Sequence, residues 1–224
     1  MTCSWAVLDT PWQSCLEEAW SAYTLGSIPI GAAITDQHGH VVARGRNRIF
    51  EASAPVGLLC GQRMAHAEMN ALLALAWQDL EPATLVLYST TEPCALCVGA
   101  LRMTRIGEVR YAARDSAAGS IALLDATPFM RRGGLRVVGP SDPSLEALIV
   151  ALHVEFSLRT GHYDRSSWVL ATWQETVPRG VALGFDLLQS GLLQRWCREH
   201  VSMAEVVQRL ALREAASESN DTRR

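Results

Sequence analysis

The chain has 224 residues, 49% of them apolar and 19% charged, with a formal net charge of −3. This suits one generous domain, or one domain with an appendage, and excludes a low-complexity chain or a small scaffold that needs disulfide staples. The acidic balance gives no general attraction to nucleic acid, while leaving room for a local basic patch.

In chain order, Asp9-Thr10-Pro11 predicts a helix start, with Thr10 as the N-cap and Pro11 in the first turn. Leu16, Ala19, Trp20 and Tyr23 continue it at helical spacing, and Gly26 ends it. The apolar run Ile28 to Thr35 predicts a buried strand, the cluster 36–40 a turn, and Val41 to Arg46 the return strand. Residues 49–63 carry Pro55, Gly57 and Gly61 without a period and read as a loop. A helix is expected over Ala65 to Trp77, a buried strand over Thr84 to Ser89, and a second helix over Cys94 to Met103. Glu108 to Ala113 reads as a strand, Ile121 to Leu124 as a short helix, and Leu135 to Val138 as a last strand.

Strands alternating with helices define an α/β class with a mixed or parallel sheet of five strands over residues 1–140. Beyond Gly139-Pro140 the character changes. Leu145, Leu148, Ile149, Leu152 and Phe156 predict an amphipathic helix with one apolar face, ending at Gly161. Trp168, Trp173, Leu187, Leu188, Trp196, Val206 and Leu210 extend the helical pattern, so residues 141–224 read as a helical C-terminal extension whose tail frays from Ala215. Its isolated histidines read as structural, and its tryptophans as core or interface anchors.

Only two of the six cysteines, Cys94 and Cys97, are closely spaced, which fits a metal site in a reducing compartment. No secretory pattern precedes Gln13. No apolar stretch approaches the ~20 residues that span a bilayer. A cytoplasmic protein without a membrane partner is expected.

Two segments carry chemistry: His66-Ala67-Glu68 and Pro93-Cys94-Ala95-Leu96-Cys97. Imidazole and thiolate are preferred Zn2+ ligands, and three protein ligands leave a fourth position for water. Cys94 and Cys97 share a helical face, and unpaired N–H groups at a helix start favour thiolates. His66 and Glu68, two residues apart, would diverge in mid-helix. They converge only at an irregular first turn, which puts the other helix start at Ala65 or His66. Two thiolates cancel the formal charge of zinc and weaken its pull on a bound water. A carboxylate, Glu68, must then take the proton and return it to the leaving amine. The alternative is a closed structural zinc site with Cys60 as fourth ligand.

H-x-E followed by P-C-x-x-C is the pattern of zinc nucleobase deaminases. With Ile28-Pro29-Ile30-Gly31-Ala32, Gly45-Arg46-Asn47-Arg48, Thr90-Thr91-Glu92-Pro93 and Ala113-Arg114-Asp115, it makes residues 15–125 resemble the cytidine and deoxycytidylate deaminase superfamily. The nearest branch resembles bacterial tRNA adenosine deaminases, guanine deaminases and cytosine deaminases. The resemblance implies a three-layer α/β/α fold, one zinc per site and a homodimer. It also implies that Asn47 and the backbone N–H of Ala67 contact the substrate, and that Asp115 lies near a ribose. Without the resemblance, Asn47 reads as a turn residue and Asp115 as a helix cap.

The sequence favours a free base, a nucleoside or a related heterocycle as substrate. Three features count against tRNA: the acidic balance, Ser116-Ala117-Ala118-Gly119 where tRNA enzymes carry a lysine and threonine, and a long 49–65 loop able to cover the pocket. Adenosine-to-inosine editing of tRNA is the alternative. A non-catalytic binding protein that kept the fold is the third reading, and the intact Glu68 opposes it.

Overall fold

The computed structural model describes residues 3–221. Five strands, β1 (Gly31–Thr35), β2 (Val41–Arg46), β3 (Val86–Thr91), β4 (Glu108–Ala113) and β5 (Arg136–Val138), form one sheet in the order β2-β1-β3-β4-β5. β1 runs antiparallel to β2 and β3, while β3, β4 and β5 are parallel, so the sheet is mixed. The helices are α1 (Thr10–Thr24), α2 (Ala67–Ala74), α3 (Ala95–Thr104), α4 (Pro128–Arg131), α5 (Pro143–Thr160), α6 (Trp168–Thr176), α7 (Pro178–Ser190), α8 (Leu192–Arg198) and α9 (Met203–Asp221).

Side-chain alternation along β1 builds the three layers. Ala33 packs with Cys15 of α1 and Tyr88. Ala32 and Ile34 point the other way, into a cluster with Ala67, Ala71, Leu87, Leu101 and Val109. Two glycines let the helices lie directly on the sheet. A Cβ at Gly31 would stand 2.0 Å from Cys15 O in α1, and one at Gly45 2.2 Å from Ala71 N in α2. Gly45→Ala is therefore expected to destabilise the fold by about 3 kcal/mol, because the obstacle is backbone. Gly99→Ala in α3, which meets nothing within 4 Å, should be neutral or slightly stabilising. Urea unfolding midpoints check this, and equal midpoints for the two variants would contradict the packing.

Several local expectations are corrected. The first strand starts three residues late, because Pro29 has no N–H to give and Ile30 N turns back to Ile28 O at 2.7 Å. Asp9 rather than Thr10 is the N-cap of α1. α2 is shorter than expected and ends where Leu75 turns extended. The third strand runs on to Thr91. The four-residue α4, capped by Thr127 Oγ1 accepting from Met130 N, was not anticipated.

The largest correction concerns α5. Residues 145–157 are all buried, on every side of the helix. It lies between β4 and α7, and α7 approaches it through Gly180 and Gly184, where a Cβ would stand under 3 Å from Val150 and Val154. Its polar residues have partners: Glu146 accepts from Arg114 Nε at 2.8 Å and Glu155 from the Tyr23 hydroxyl at 2.7 Å. Trp20 Nε1 donates to Val201 O at 2.8 Å. One apolar cluster thus joins α1, β4, α5 and the helices beyond. α9 continues to Asp221 through the segment expected to fray, and residues 222–224 lie outside the described ones. Among the described residues, no helix is long and apolar enough to cross a membrane.

Candidate active site

Two helix starts meet above the carboxyl end of β3. His66 is the N-cap of α2, with φ −76° and ψ 157°, so the helix begins at Ala67, one residue past the latest start the sequence suggested. Cys94 is the N-cap of α3, with φ −72° and ψ 175°. Both caps are extended, and both carbonyls accept the first helical bond, from Asn70 N at 3.0 Å and Val98 N at 2.9 Å. This bend brings His66 and Glu68 to one place although they are two residues apart.

His66 Nδ1 lies 3.4 Å from Cys94 Sγ and 3.5 Å from Cys97 Sγ, and the sulfurs are 3.7 Å apart. A tetrahedral zinc, with bonds of about 2.3 Å to sulfur and about 2.0 Å to nitrogen, needs about 3.5 Å between nitrogen and sulfur and about 3.8 Å between sulfurs. Donor type and spacing both fit. Among the described residues these three form the cluster able to hold a metal, and Cys60 is not a member. The closed four-ligand alternative therefore finds no support in the geometry.

The electrostatics suit a thiolate at Cys94. Cys94 is held down to about 4, first by its hydrogen bond with Cys97 and then by that with His66. The same shared proton, together with burial, pushes Cys97 up. Cys94 beside it raises the His66 imidazole above its ordinary value. Glu68 is buried, and that burial pushes its carboxyl up. Its Oε2 lies 3.4 Å from Cys97 Sγ, and its Oε1 accepts from the Ser89 hydroxyl at 3.1 Å.

The remaining candidates are placed as follows. Asn47, just past β2, is buried, and its Oδ1 accepts from Ser27 Oγ at 2.8 Å and Ile49 N at 3.1 Å. That orientation commits the carbonyl to the protein. Ala67 opens α2, and its N–H is one of the first-turn amides with no acceptor inside the helix. Asp115 follows β4, and its Oδ1 accepts from Ala117 N and Ala118 N at 3.0 and 2.9 Å, capping a turn rather than a helix. Glu92 ties that turn down through Asp115 N and Ile121 N. Sequence reading did not single out Ser27 or Ser89. The signal for Ser89 was a hydroxyl residue at the point where the apolar run of β3 gives way to Ser89-Thr90-Thr91, and Ser27 carried none.

The 49–65 loop is pinned. Glu51 bridges Arg46, at 2.8 Å, and Arg48. Asn70 accepts from Leu59 N at 2.8 Å and donates to Leu59 O and Arg46 O. Phe50 meets His162, just past α5, edge to face at 5.8 Å.

The mixed sheet, the two facing helix starts and the histidine–dicysteine cluster define a zinc-binding deaminase architecture. Residues 9–113 match the cytidine and deoxycytidylate deaminase zinc-binding region, and His66, Cys94 and Cys97 within that stretch are the cluster able to hold the zinc. It is 35% identical over 108 residues to the tRNA-specific adenosine deaminase of Haemophilus influenzae, a match covering 47% of this chain and 58% of that protein. With the tRNA-specific adenosine deaminase of Bacillus subtilis it shares 35% identity over 111 residues, 48% of this chain and 62% of that one. The matches thus span less than two thirds of these relatives' length. A solved guanine deaminase from Nitrosomonas europaea shares the fold at TM-score 0.50 and 20% identity, covering 70% of this chain and 86% of that one.

Proposed function

We propose that this chain is a zinc-dependent hydrolytic deaminase that releases ammonia from an amino-substituted nucleobase, nucleoside or related heterocycle. The observation that carries the reading is the Glu68 carboxyl, buried against Cys97 in contact with the His66–Cys94–Cys97 cluster. His66, Cys94 and Cys97 would hold the ion, which supplies an activated water when bound. Glu68 would take a proton from water, deliver it to a ring nitrogen, and pass a second one to the departing ammonia. The Ala67 N–H and Asn47 hold the ring, with Asp115 beside a sugar when one is present. With its carbonyl committed to Ser27 and Ile49, Asn47 offers its NH2 group to an acceptor on the substrate.

A small substrate is supported by the pinned 49–65 loop and by the Phe50–His162 contact, which put extra structure beside Asn47. Adenosine-to-inosine deamination in tRNA is the second reading, because curated relatives at 32–35% identity are tRNA-specific adenosine deaminases. In this proposal residues 1–140 carry the chemistry, residues 141–224 are a helical extension, and the chain works as a cytoplasmic homodimer. The unbridged Cys3, Cys15, Cys60 and Cys197, beside a thiolate metal site, are in keeping with a reducing location.

The test is ammonia release by the zinc-loaded chain from cytosine, guanine and adenine, their nucleosides, and an adenosine-containing anticodon stem-loop. Turnover of a base or nucleoside is expected. Turnover of the stem-loop alone would move the reading to tRNA, and no turnover of any of them would favour a binding protein.

A further inference from the structure

Ser89 is fully buried on β3, on the sheet face turned toward α2 and α3. Strand alternation puts it on the side of Leu87, which packs with Ala67 and Leu101, and opposite to Tyr88, which packs with Cys15 of α1. Its hydroxyl lies 3.1 Å from Glu68 Oε1. The N–H of Thr91 reaches Ser89 Oγ from the backbone at 3.4 Å. A hydroxyl oxygen that accepts an N–H keeps its own hydrogen to donate, and Glu68 Oε1 is the acceptor in reach.

The other carboxyl oxygen, Oε2, faces Cys97 Sγ at 3.4 Å. A thiol donates in such a contact. A thiolate committed to a metal has no hydrogen to give and meets a carboxylate as a like charge. Apart from Glu68's own N–H, the Ser89 hydroxyl is then the donor left to the carboxyl among the described residues. A glutamate side chain has several rotatable bonds, and burial alone does not select the plane of its carboxyl.

We infer that Ser89 is a positioning residue for deamination, its hydroxyl fixing the carboxyl plane of Glu68 so that the proton is taken and returned from one orientation. The inference rests on Glu68 being the proton carrier. Removing the hydroxyl leaves backbone, metal ligands and substrate contacts in place, so it acts on the chemical step rather than on binding.

The experiment uses the zinc-loaded full chain and its S89A, S89T and E68A variants, assayed on the same bases, nucleosides and stem-loop. S89A is expected to lower kcat about tenfold, the size of one charge-assisted hydrogen bond, with KM and zinc content unchanged. S89T, which keeps the hydroxyl, should restore most of kcat. In protein labelled with 13C-glutamate, the infrared carboxyl band that E68A removes should shift in S89A and return in S89T. An unchanged kcat in S89A, a change confined to KM, or an unshifted band would overturn the inference. Should S89T fold poorly, the S89A band decides alone. Full activity in E68A would instead remove the proton-carrier reading, while the band still reports the Ser89 bond.

Discussion

Glu68→Gln is expected to lower ammonia release by about 10³-fold while leaving zinc content and thermal stability nearly unchanged. The amide keeps the volume of the buried side chain and can still accept from Ser89, so packing survives. What it loses is the capacity to gain and release a proton. Two thiolates would neutralise a divalent ion held by His66, Cys94 and Cys97, so the site would ask more of its carboxylate than an all-imidazole site. Steady-state kinetics with metal analysis on the same preparation checks the expectation. Activity within tenfold of the unsubstituted chain would mean that another group carries the proton.

Cys97→Ala should have a different signature: loss of activity and of the metal together. Cys97 is fully buried at the third residue of α3, packed between Cys94 and Glu68, and among the described residues the cluster holds no sulfur besides those of Cys94 and Cys97. Zinc affinity is expected to fall by more than about 100-fold, beyond the usual effect of losing an outer partner of a ligand. The melting temperature of the zinc-treated protein should also drop, because metal binding contributes to folding free energy. Cys60→Ala is the control and should bind zinc normally, since Cys60 lies outside the cluster. Competition with a chromogenic chelator measures both. Normal affinity in Cys97→Ala, or loss in Cys60→Ala, would require a different ligand set.

Much of this arrangement was legible in the sequence, for physical reasons that differ by segment. The buried strand β3 shows through its apolar run Leu85 to Tyr88, though not its end at Thr91, and turns show as glycine and proline clusters. The histidine, glutamate and cysteines were legible because few other residues can bind zinc and move a proton at that spacing. The two-residue gap between His66 and Glu68 even located an irregular helix start, to within a residue of where α2 begins.

What stayed hidden depends on neighbours distant in the chain. The pattern of Leu145, Leu148, Ile149, Leu152 and Phe156 suggested one apolar face, yet Glu146, His153 and Glu155 are buried as well. The distant Arg114 and Tyr23 pair with the two glutamates, while Ser157 and Arg159 meet His153 and Glu155 from one turn away. Nothing local to Glu155 announces a tyrosine 132 residues away. Ser89 was missed for the same reason, since its meaning lies in a glutamate that precedes it by 21 positions. The early end of α2 had no sequence signal, because no glycine or proline marks Leu75.

The burial of α5 on all sides changes what the segment beyond residue 140 is to the rest of the molecule. Leu16, Trp20 and Tyr23 of α1 and Ala112 of β4 find their apolar neighbours in α5 and the later helices. What the linear text presents as an attachment is thus half of the interior. The turn that bears Asp115 hangs from the end of β4, and Arg114 beside it is clasped by Glu146 of α5. Arg114 and Glu146 thus tie the end of β4, and the turn after it, to a helix that is enclosed on every side.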